Sequence, residues 1–117
     1  LTRFGERMLL VLTTDGTALA VYRMVIAEAG RSDIGMLFHE AGPGEAIASL
    51  AAFLALAMQK GKLTKADSDL RARQFLALVT AQTNMRLYQS DPAPLDIMEI
   101  QQLVKNAVDM FLHGAVR

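Results

Sequence analysis

Few residues in the chain carry side chains that could do chemistry. The two histidines are His39 and His113, and only His39 has an acid beside it, Glu40. A helical bundle that binds two metal ions needs Glu-x-x-His motifs, but Met36 and Met110 stand three residues before the histidines. The absence of cysteine excludes a thiolate nucleophile, a disulfide and a cysteine zinc site. We therefore expect no enzyme, no metal site and no cofactor.

Two further features could suggest a binding site but have simpler explanations. Gly42-Pro43-Gly44 predicts a helix kink rather than a phosphate loop, because no Lys-Ser/Thr pair follows it. Glu28 falls among apolar residues on its predicted helix, where a carboxylate needs a partner. It could anchor a polar group of a ligand. We favour a buried salt bridge to an arginine such as Arg31 or Arg73.

The composition and the turn-forming residues predict an all-α fold that positions these residues. Hydrophobic residues make up 52% of the chain, aromatic residues only 6%, and Trp is absent, as in packed helices. Turn signals divide one domain, residues 1–117, into six helical segments. Their predicted ranges are 2–13, 17–29, 33–41, 45–60, 67–88 and from 96 onward. The N-caps are predicted at Thr17, at Ser32 or Asp33, at Asp67, and at Asp96, which forms a capping box with Glu99.

Charge and hydropathy exclude two classes of protein. Twelve Lys and Arg balance twelve Asp and Glu, so the chain lacks the general positive charge of a stand-alone nucleic-acid binder. The longest apolar run, residues 46–58, is shorter than the roughly 20 residues of a membrane span and predicts a core helix. The chain begins at Leu1 without a signal-peptide pattern. We expect a cytoplasmic domain cut from a longer protein, with no membrane contact.

The last two segments are apolar on more than one face. In the sixth, apolar residues cover an arc of about 160°, whereas one core-facing stripe needs only about 100°. The additional apolar surface favours a homodimer, in which a second copy of the chain covers it. The alternative is that both helices are simply central in their own domain.

Methionine and aromatic residues are spread through the predicted helices. Methionine suits surfaces that adapt to varied apolar shapes, and helical bundles enclose ligand pockets between facing helices. The same spacing is equally typical of an ordinary hydrophobic core. The sequence is therefore compatible with either a ligand pocket or a core without a pocket.

Several short stretches, taken in order, carry a family resemblance. They are Val25-Ile26-Ala27-Glu28-Ala29, then Ile34 and Leu37-Phe38-His39-Glu40-Ala41-Gly42-Pro43, then Ala72-Arg73-Gln74-Phe75-Leu76 and Ala107-Val108-Asp109-Met110-Phe111-Leu112. With these stretches the chain resembles the C-terminal regulatory domain of TetR-type transcriptional repressors, in the AefR-like subgroup. Two departures are Asp33-Ile34-Gly35, where the subgroup often has a Pro-Glu-Leu-like start, and Ser68, where proline often follows the capping Asp.

This resemblance implies a fold, a partner and a ligand. The fold would be a six-helix bundle whose last two helices pair with those of a second copy as an intersubunit four-helix bundle. DNA would be bound only through an N-terminal helix-turn-helix domain that this chain lacks, and the first segment would lead to it. The residues we expect to line an effector pocket are Met8, Tyr22, Met24, His39, Phe53, Phe75 and Met85. Those we expect at the dimer interface are Gln74, Leu78, Ala81, Ile100, Val104, Ala107, Val108 and Phe111.

Two functions follow from these expectations. The first is an effector-sensing and dimerisation domain of a repressor, which binds a small apolar or amphipathic molecule that alters operator binding. The second is a constitutive helical dimerisation module without a working pocket. The sequence leaves open the effector, the operator, and whether the effector releases or promotes DNA binding.

Overall fold

A computed structural model of the chain describes residues 1–14, 16–90 and 92–114. Over these residues the chain forms six α-helices and one 3-10 helix and contains no strand, which confirms the predicted all-α fold. Pairing of the last two helices with a second copy stays a prediction. In chain order the elements are α1 (Thr2–Thr14), α2 (Gly16–Ala29), α3 (Ile34–Ala41), α4 (Pro43–Gln59), α5 (Ser68–Thr80), the 3-10 helix (Asn84–Tyr88) and α6 (Ile97–His113).

Two predicted N-caps have the expected geometry. The side chain of Asp96 accepts from the Glu99 backbone N–H at 2.8 Å, and the Glu99 carboxylate accepts from the Asp96 N–H at 3.3 Å, which completes the capping box. Asp67 Oδ1 accepts from the backbone N–H groups of Asp69 and Leu70 at 3.0 and 3.2 Å. Both helices therefore begin where their sequences provide acceptors for free N–H groups.

The caps predicted for the earlier helices are weaker. Asp33 occupies the N-cap position of α3 without a side-chain hydrogen bond, while Ser32 Oγ accepts from the Ile34 N–H at 3.3 Å. The side chain of Thr17 lies outside the described residues. At the other end of α4, Gly61 adopts φ +75° and its N–H donates to the Met58 carbonyl, so glycine ends that helix as predicted.

Two helix boundaries differ from the prediction. α5 ends at Thr80 instead of residue 88, because the Thr80 and Thr83 hydroxyls donate to the carbonyls of Leu76 and Thr80 and the backbone tightens into i→i+3 turns. α4 begins at Pro43, before the predicted residue 45. Proline is tolerated in the first turn of a helix, because the backbone N–H that it lacks would have no hydrogen-bond partner within the helix. The predicted kink is a bend of 44° between α3 and α4.

The chain divides into two compact units, and the boundaries fall within α2 and α5. The first unit comprises Leu1–Met24 and Phe75–Arg117. In it α1 packs along α6, and Leu9, Val79 and Val104 are buried. The Phe75 ring is fully buried, with its centroid 6.5 Å from that of Phe4 and 5.2 Å from that of Phe111. These rings form an aromatic core of tilted and edge-on contacts.

A glycine sets the spacing between α1 and α6 in this unit. A Cβ placed on Gly5 would lie 3.0 Å from Val104 Cγ1 and 3.5 Å from Val79 Cγ2. Since two carbon atoms in contact normally lie about 3.5–4.0 Å apart, no larger residue fits there without movement. Gly5 therefore lets α1 lie close to Val104 of α6 and Val79 of α5.

The second unit, Val25–Gln74, consists mainly of α3 and α4 packed against each other. α4 buries one stripe of residues at helical spacing and exposes its remaining faces, whereas no residue of α3 is buried. Although nearly all residues of α4 are apolar, the single chain covers only one face of this helix. The buried stripe consists of Ile47, Leu50, Leu54 and Met58.

We predict that Gly5→Ala destabilises the chain although alanine favours helix. The gain in helix propensity is at most about 1 kcal/mol, whereas overpacking against Val104 costs about 1–3 kcal/mol. Urea unfolding measures the difference. In a Val104→Ala background the added methyl group has room, so there Gly5→Ala should be neutral or stabilising. Gly30→Ala is the matched control, because a Cβ at Gly30 meets nothing within 4 Å. Equal effects at the two glycines would contradict the prediction.

Candidate functional site

The residues predicted to line an effector pocket differ widely in exposure. Tyr22 is 39% exposed, Met24 and Phe53 are each 54% exposed, and Met85 is 62% exposed. Met8 and His39 are half-buried. His39 and Phe53 belong to the second unit and the other five residues to the first. Their joint role as a pocket stays a prediction.

Phe75 differs from the other predicted pocket residues. It is 0% exposed, and its ring packs between Phe4 and Phe111. A ring surrounded in this way has no surface left for a ligand in this conformation. The structure therefore places Phe75 in the aromatic core of the first unit. The sequence could not distinguish the two roles, because a buried ring and a pocket-lining ring have the same helical spacing.

Three predicted interface residues also lie in the core of the chain. Ile100, Val104 and Ala107 are 3%, 0% and 4% exposed, since this face of α6 is already covered in the single chain. They leave a partner almost no surface in this conformation. Leu78, Val108 and Phe111 are half-buried, and Gln74 and Ala81 are exposed. The exposed apolar residues of α6 are instead Ile97, Met98, Met110 and Leu112.

His39 lies over the first turn of α4. A Cβ on Gly44 would lie 3.0 Å from the His39 carbonyl oxygen and 3.3 Å from its Cδ2. The glycine thus allows the last turn of α3 and the start of α4 to meet at the bend. This packing accounts for the half-buried position of His39 and leaves its predicted role in ligand binding a prediction.

Glu28 has one of the two partners that the sequence favoured. Its Oε1 accepts from Arg31 Nη2 at 2.8 Å, one turn further along the chain. The prediction of burial is wrong, because 42% of the Glu28 side chain and 74% of the Arg31 side chain are exposed. An exposed pair of this kind stabilises little and offers no enclosed anchor for a ligand.

The most unusual polar arrangement in the first unit was not predicted. It is formed by Arg23 of α2 and Arg86 of the 3-10 helix, which we call the arginine cluster. Arg23 Nη2 donates to the main-chain carbonyl of Arg86 at 2.8 Å and to that of Gln89. Arg86 Nη1 donates to the Ala93 carbonyl at 2.5 Å, and its Nη2 donates to the Thr13 carbonyl at 3.1 Å.

The arginine cluster holds the backbone at and after the 3-10 helix. Its hydrogen bonds join the carbonyls of Arg86 and Gln89 to α2, and they join Arg86 to Ala93 and to the last turn of α1. A cation is also favourable beside Thr13, because the carbonyls at a helix C-terminus carry partial negative charge. The cluster therefore holds a mainly non-helical segment through side-chain to main-chain bonds.

The Nε atoms of Arg23 and Arg86 are buried, and neither has a hydrogen-bond partner among residues 1–14, 16–90 and 92–114. A buried donor without an acceptor costs about 1–3 kcal/mol. One sequence signal pointed to this site. Arg23 is the only basic residue within α2, whose sequence is otherwise mainly apolar.

The described part of the chain offers no metal centre. Across residues 1–14, 16–90 and 92–114, no group of three or more His, Asp or Glu side chains could hold a metal ion. No single helix among the same residues is long and apolar enough to cross a membrane. The bent pair α3 and α4 meets that test by length and composition only when the two are taken together.

Comparison with known families decides which kind of domain this is. The family described as the AefR-like transcriptional repressor, C-terminal domain, matches residues 1–114. The chain belongs to this family. Searches of curated proteins and of solved structures gave no match. The AefR-like match spans nearly the whole chain and confirms the resemblance drawn from the short motifs.

Membership of the AefR-like family fixes the general class of function. The chain is a regulatory domain of the TetR type, a class that typically dimerises and binds small-molecule effectors. TetR-type regulatory domains are not enzymes, which agrees with the scarcity of catalytic residue types in the sequence.

We predict that the arginine cluster stabilises this AefR-like domain more than surface arginines do. Arg86→Leu removes two hydrogen bonds from a charged donor while also removing one unsatisfied Nε, so the net loss should be about 1–3 kcal/mol. Arg73→Leu is the control, because Arg73 pairs with Asp69 at the surface and 53% of its side chain is exposed. Its loss should stay below about 1 kcal/mol. Urea unfolding of both variants tests the difference, and equal midpoints would contradict it.

Proposed function

We propose that the chain is the effector-sensing and dimerisation domain of a TetR-family transcriptional repressor. It binds a small apolar or amphipathic molecule, and binding alters how a DNA-binding domain outside this chain holds its operator. The observation that carries the proposal is the AefR-like family match over residues 1–114.

Exposed apolar side chains support a domain that binds molecules other than itself. In the second unit Leu37 is 62% exposed and Phe53 is 54% exposed. In the first unit Met24 and Met85 are similarly open. Methionine and phenylalanine adapt to apolar ligands without specific polar contacts, which suits an effector of this chemical class.

The effector acts by favouring one of two states of the domain. It can shift that equilibrium only by its difference in affinity for the two states. α1 is the helix that we expect to lead to the DNA-binding domain. We therefore expect effector binding to change the position of α1 relative to α6 within the first unit. α1 approaches Val104 of α6 at Gly5, and its Thr13 carbonyl accepts from Arg86 of the 3-10 helix.

Dimerisation through α5 and α6 is the second part of the proposal. Gln74 and Ala81 are exposed in the single chain, and Met110 and Leu112 are each 44% exposed on α6. Within the first unit, Ala81, Met110 and Leu112, together with the half-buried Leu78, Val108 and Phe111, provide the surface that a second copy would cover. Covering this surface accounts for the apolar surplus of α6 beyond its core face.

The alternative function is a constitutive dimerisation module without a pocket. The full burial of Phe75 favours it, because one of the residues expected to contact an effector is already packed against two other rings. In this case the domain holds two DNA-binding domains at a fixed separation.

Effector binding is tested by thermal stability in the presence of lipophilic and aromatic compounds. A compound that binds only the folded chain raises its stability by about 2.7 kcal/mol at 100 times its dissociation constant. Phe53→Ala should weaken binding of any hit, because its exposed ring is available to a ligand. Leu70→Ala is the control, being similarly exposed at 48% and not among the predicted pocket residues. A wide panel without any stabilisation would favour the constitutive module.

Dimerisation is tested by light scattering after size-exclusion chromatography. The chain of 12.7 kDa should elute with about twice that mass. Ala81→Arg should shift the equilibrium toward monomer, because it places a charged side chain in the proposed interface without disturbing the core. Ala27→Arg, at an exposed position of α2 outside that interface, should leave the mass unchanged. A monomeric wild-type chain would contradict this part of the proposal.

A further inference from the structure

One face of α4 is exposed along the whole length of the helix. Its residues recur at helical spacing and lie opposite the buried stripe of Ile47, Leu50, Leu54 and Met58. Leu56 on this face is 49% exposed, although leucine gains free energy from burial. We call this surface the α4 face, and its central line consists of Glu45, Ser49, Ala52, Leu56 and Lys60.

The α4 face carries opposite charges at its two ends. Glu45 lies in the first turn of α4, Lys60 is the C-cap residue, and both are exposed. Each charge also suits the dipole of its own helix, which favours an acid at the N-terminus and a base at the C-terminus. The dipole does not account for the uncharged surface between them, where Leu56 faces solvent.

The α4 face is complementary to the same face of a second copy when the two helices run antiparallel. In a twofold contact, each residue pairing between the copies occurs twice. When Glu45 lies opposite Lys60 of the second copy, Ser49 lies opposite Leu56 and Ala52 lies next to the twofold axis, because these pairs are equally distant from the middle of the stretch 45–60. A parallel contact would instead bring like charges together at both ends.

We propose that the α4 face binds the α4 face of a second copy in antiparallel orientation. This contact goes beyond the proposed function, because it uses none of the α5 and α6 residues assigned to the dimer. Residues 45 and 60 are separated by about 22 Å along the helix. Small-molecule sites are concave and enclose most of their ligand, so an exposed stripe of this length suits a helix better than a small effector. Two twofold surfaces on one chain would join dimers into tetramers.

The α4 contact is expected to be weak. Its face contains fewer residues than the about 20–30 on each side of a stable interface. We expect a dissociation constant of the order of 100 µM, so the contact forms in concentrated solution and is absent at the dilution of size-exclusion chromatography. The twofold mass expected there for the wild-type chain therefore reports only the α5–α6 dimer.

Sedimentation equilibrium of the Ala81→Arg chain isolates the α4 contact, because this variant blocks the proposed α5–α6 interface. Its average mass should rise from 12.7 kDa toward twice that value between about 10 µM and 1 mM. At low ionic strength Glu45→Lys and Lys60→Glu, added singly, should each weaken association about tenfold, because symmetry creates two like-charge contacts. Glu40→Lys and Lys65→Glu are the matched controls at exposed positions outside the α4 face. Circular dichroism shows that each variant folds.

An equal mixture of the two charge variants separates pairing from effects within one helix. A Glu45→Lys chain and a Lys60→Glu chain present unlike charges to each other at both ends of the antiparallel contact. The mixture should therefore associate about tenfold or more tightly than either variant alone. Mixing cannot restore a dipole interaction that each substitution removes from its own helix.

Cross-linking tests the orientation, because the chain contains no cysteine that would compete. Ala52→Cys should be joined to its own copy by a short bismaleimide, since position 52 lies next to the twofold axis. Glu45→Cys should not be joined to its own copy, because the two positions would lie about 22 Å apart along the antiparallel pair. Ala66→Cys, at an exposed position outside the α4 face, is the control for random collisions.

Four results would overturn the inference. They are a mass that stays constant with concentration, association that neither charge variant weakens, a mixture no tighter than its components, and cross-linking of Glu45→Cys as efficient as that of Ala52→Cys. If the Ala81→Arg chain stays dimeric at the lowest concentration and the charge variants leave it so, another surface holds the dimer and the α4 contact is wrong. If the wild-type chain is monomeric when dilute while the mixture still associates, the proposed α5–α6 dimer fails and the α4 contact stands.

Discussion

The close approach of α1 and α6 at Gly5 is the constraint on which the first unit depends. A Cβ there would fall 3.0 Å from Val104 Cγ1, so any larger residue would require the Val104 side chain to move. That spacing lets Leu9 and Val104 lose all contact with solvent. The aromatic core around Phe75 belongs to the same unit and fills the remaining volume with ring contacts, each of which adds to the free energy of burial.

The segment after α5 is stabilised in a different way. Few apolar residues of this segment are buried, and its backbone is held by the arginine cluster and by the hydroxyls of Thr80 and Thr83. Regions held by a few polar bonds open at lower free energy than a packed core. The α1–α6 pair, by contrast, is held by buried apolar side chains such as Leu9 and Val104.

The second unit exposes several large apolar side chains to solvent. α4 is apolar almost throughout but buries only one stripe, so Phe53 and Leu56 stay open to solvent. α3 exposes Met36 and Leu37 at more than 60%. The single chain therefore leaves these side chains outside its own core.

The sequence by itself determined the all-α fold, the caps at Asp67 and Asp96, and the family. Capping residues such as Asp67 and Asp96 act on backbone groups three residues away or fewer, and glycine ends α4 through its own backbone freedom, so local chemistry fixes these points. The short motifs around Glu28, Pro43 and Phe75 were enough to indicate the AefR-like domain. The fifth segment was predicted too long, because the hydroxyl bonds of Thr80 and Thr83 compete with helix in a way that apolar periodicity does not record.

Tertiary structure alone decided which apolar residues are core and which polar residues are unusual. Periodicity gives Phe75 and Val104 the same pattern whether they face the chain's own core, a ligand or a partner, because it records a helix face and not what covers it. Three of the four hydrogen bonds described for the arginine cluster join residues 63 to 73 positions apart, such as Arg23 with Arg86 and Arg86 with Thr13. No local pattern encodes bonds to main-chain carbonyls at that distance, since every residue carries the same carbonyl group.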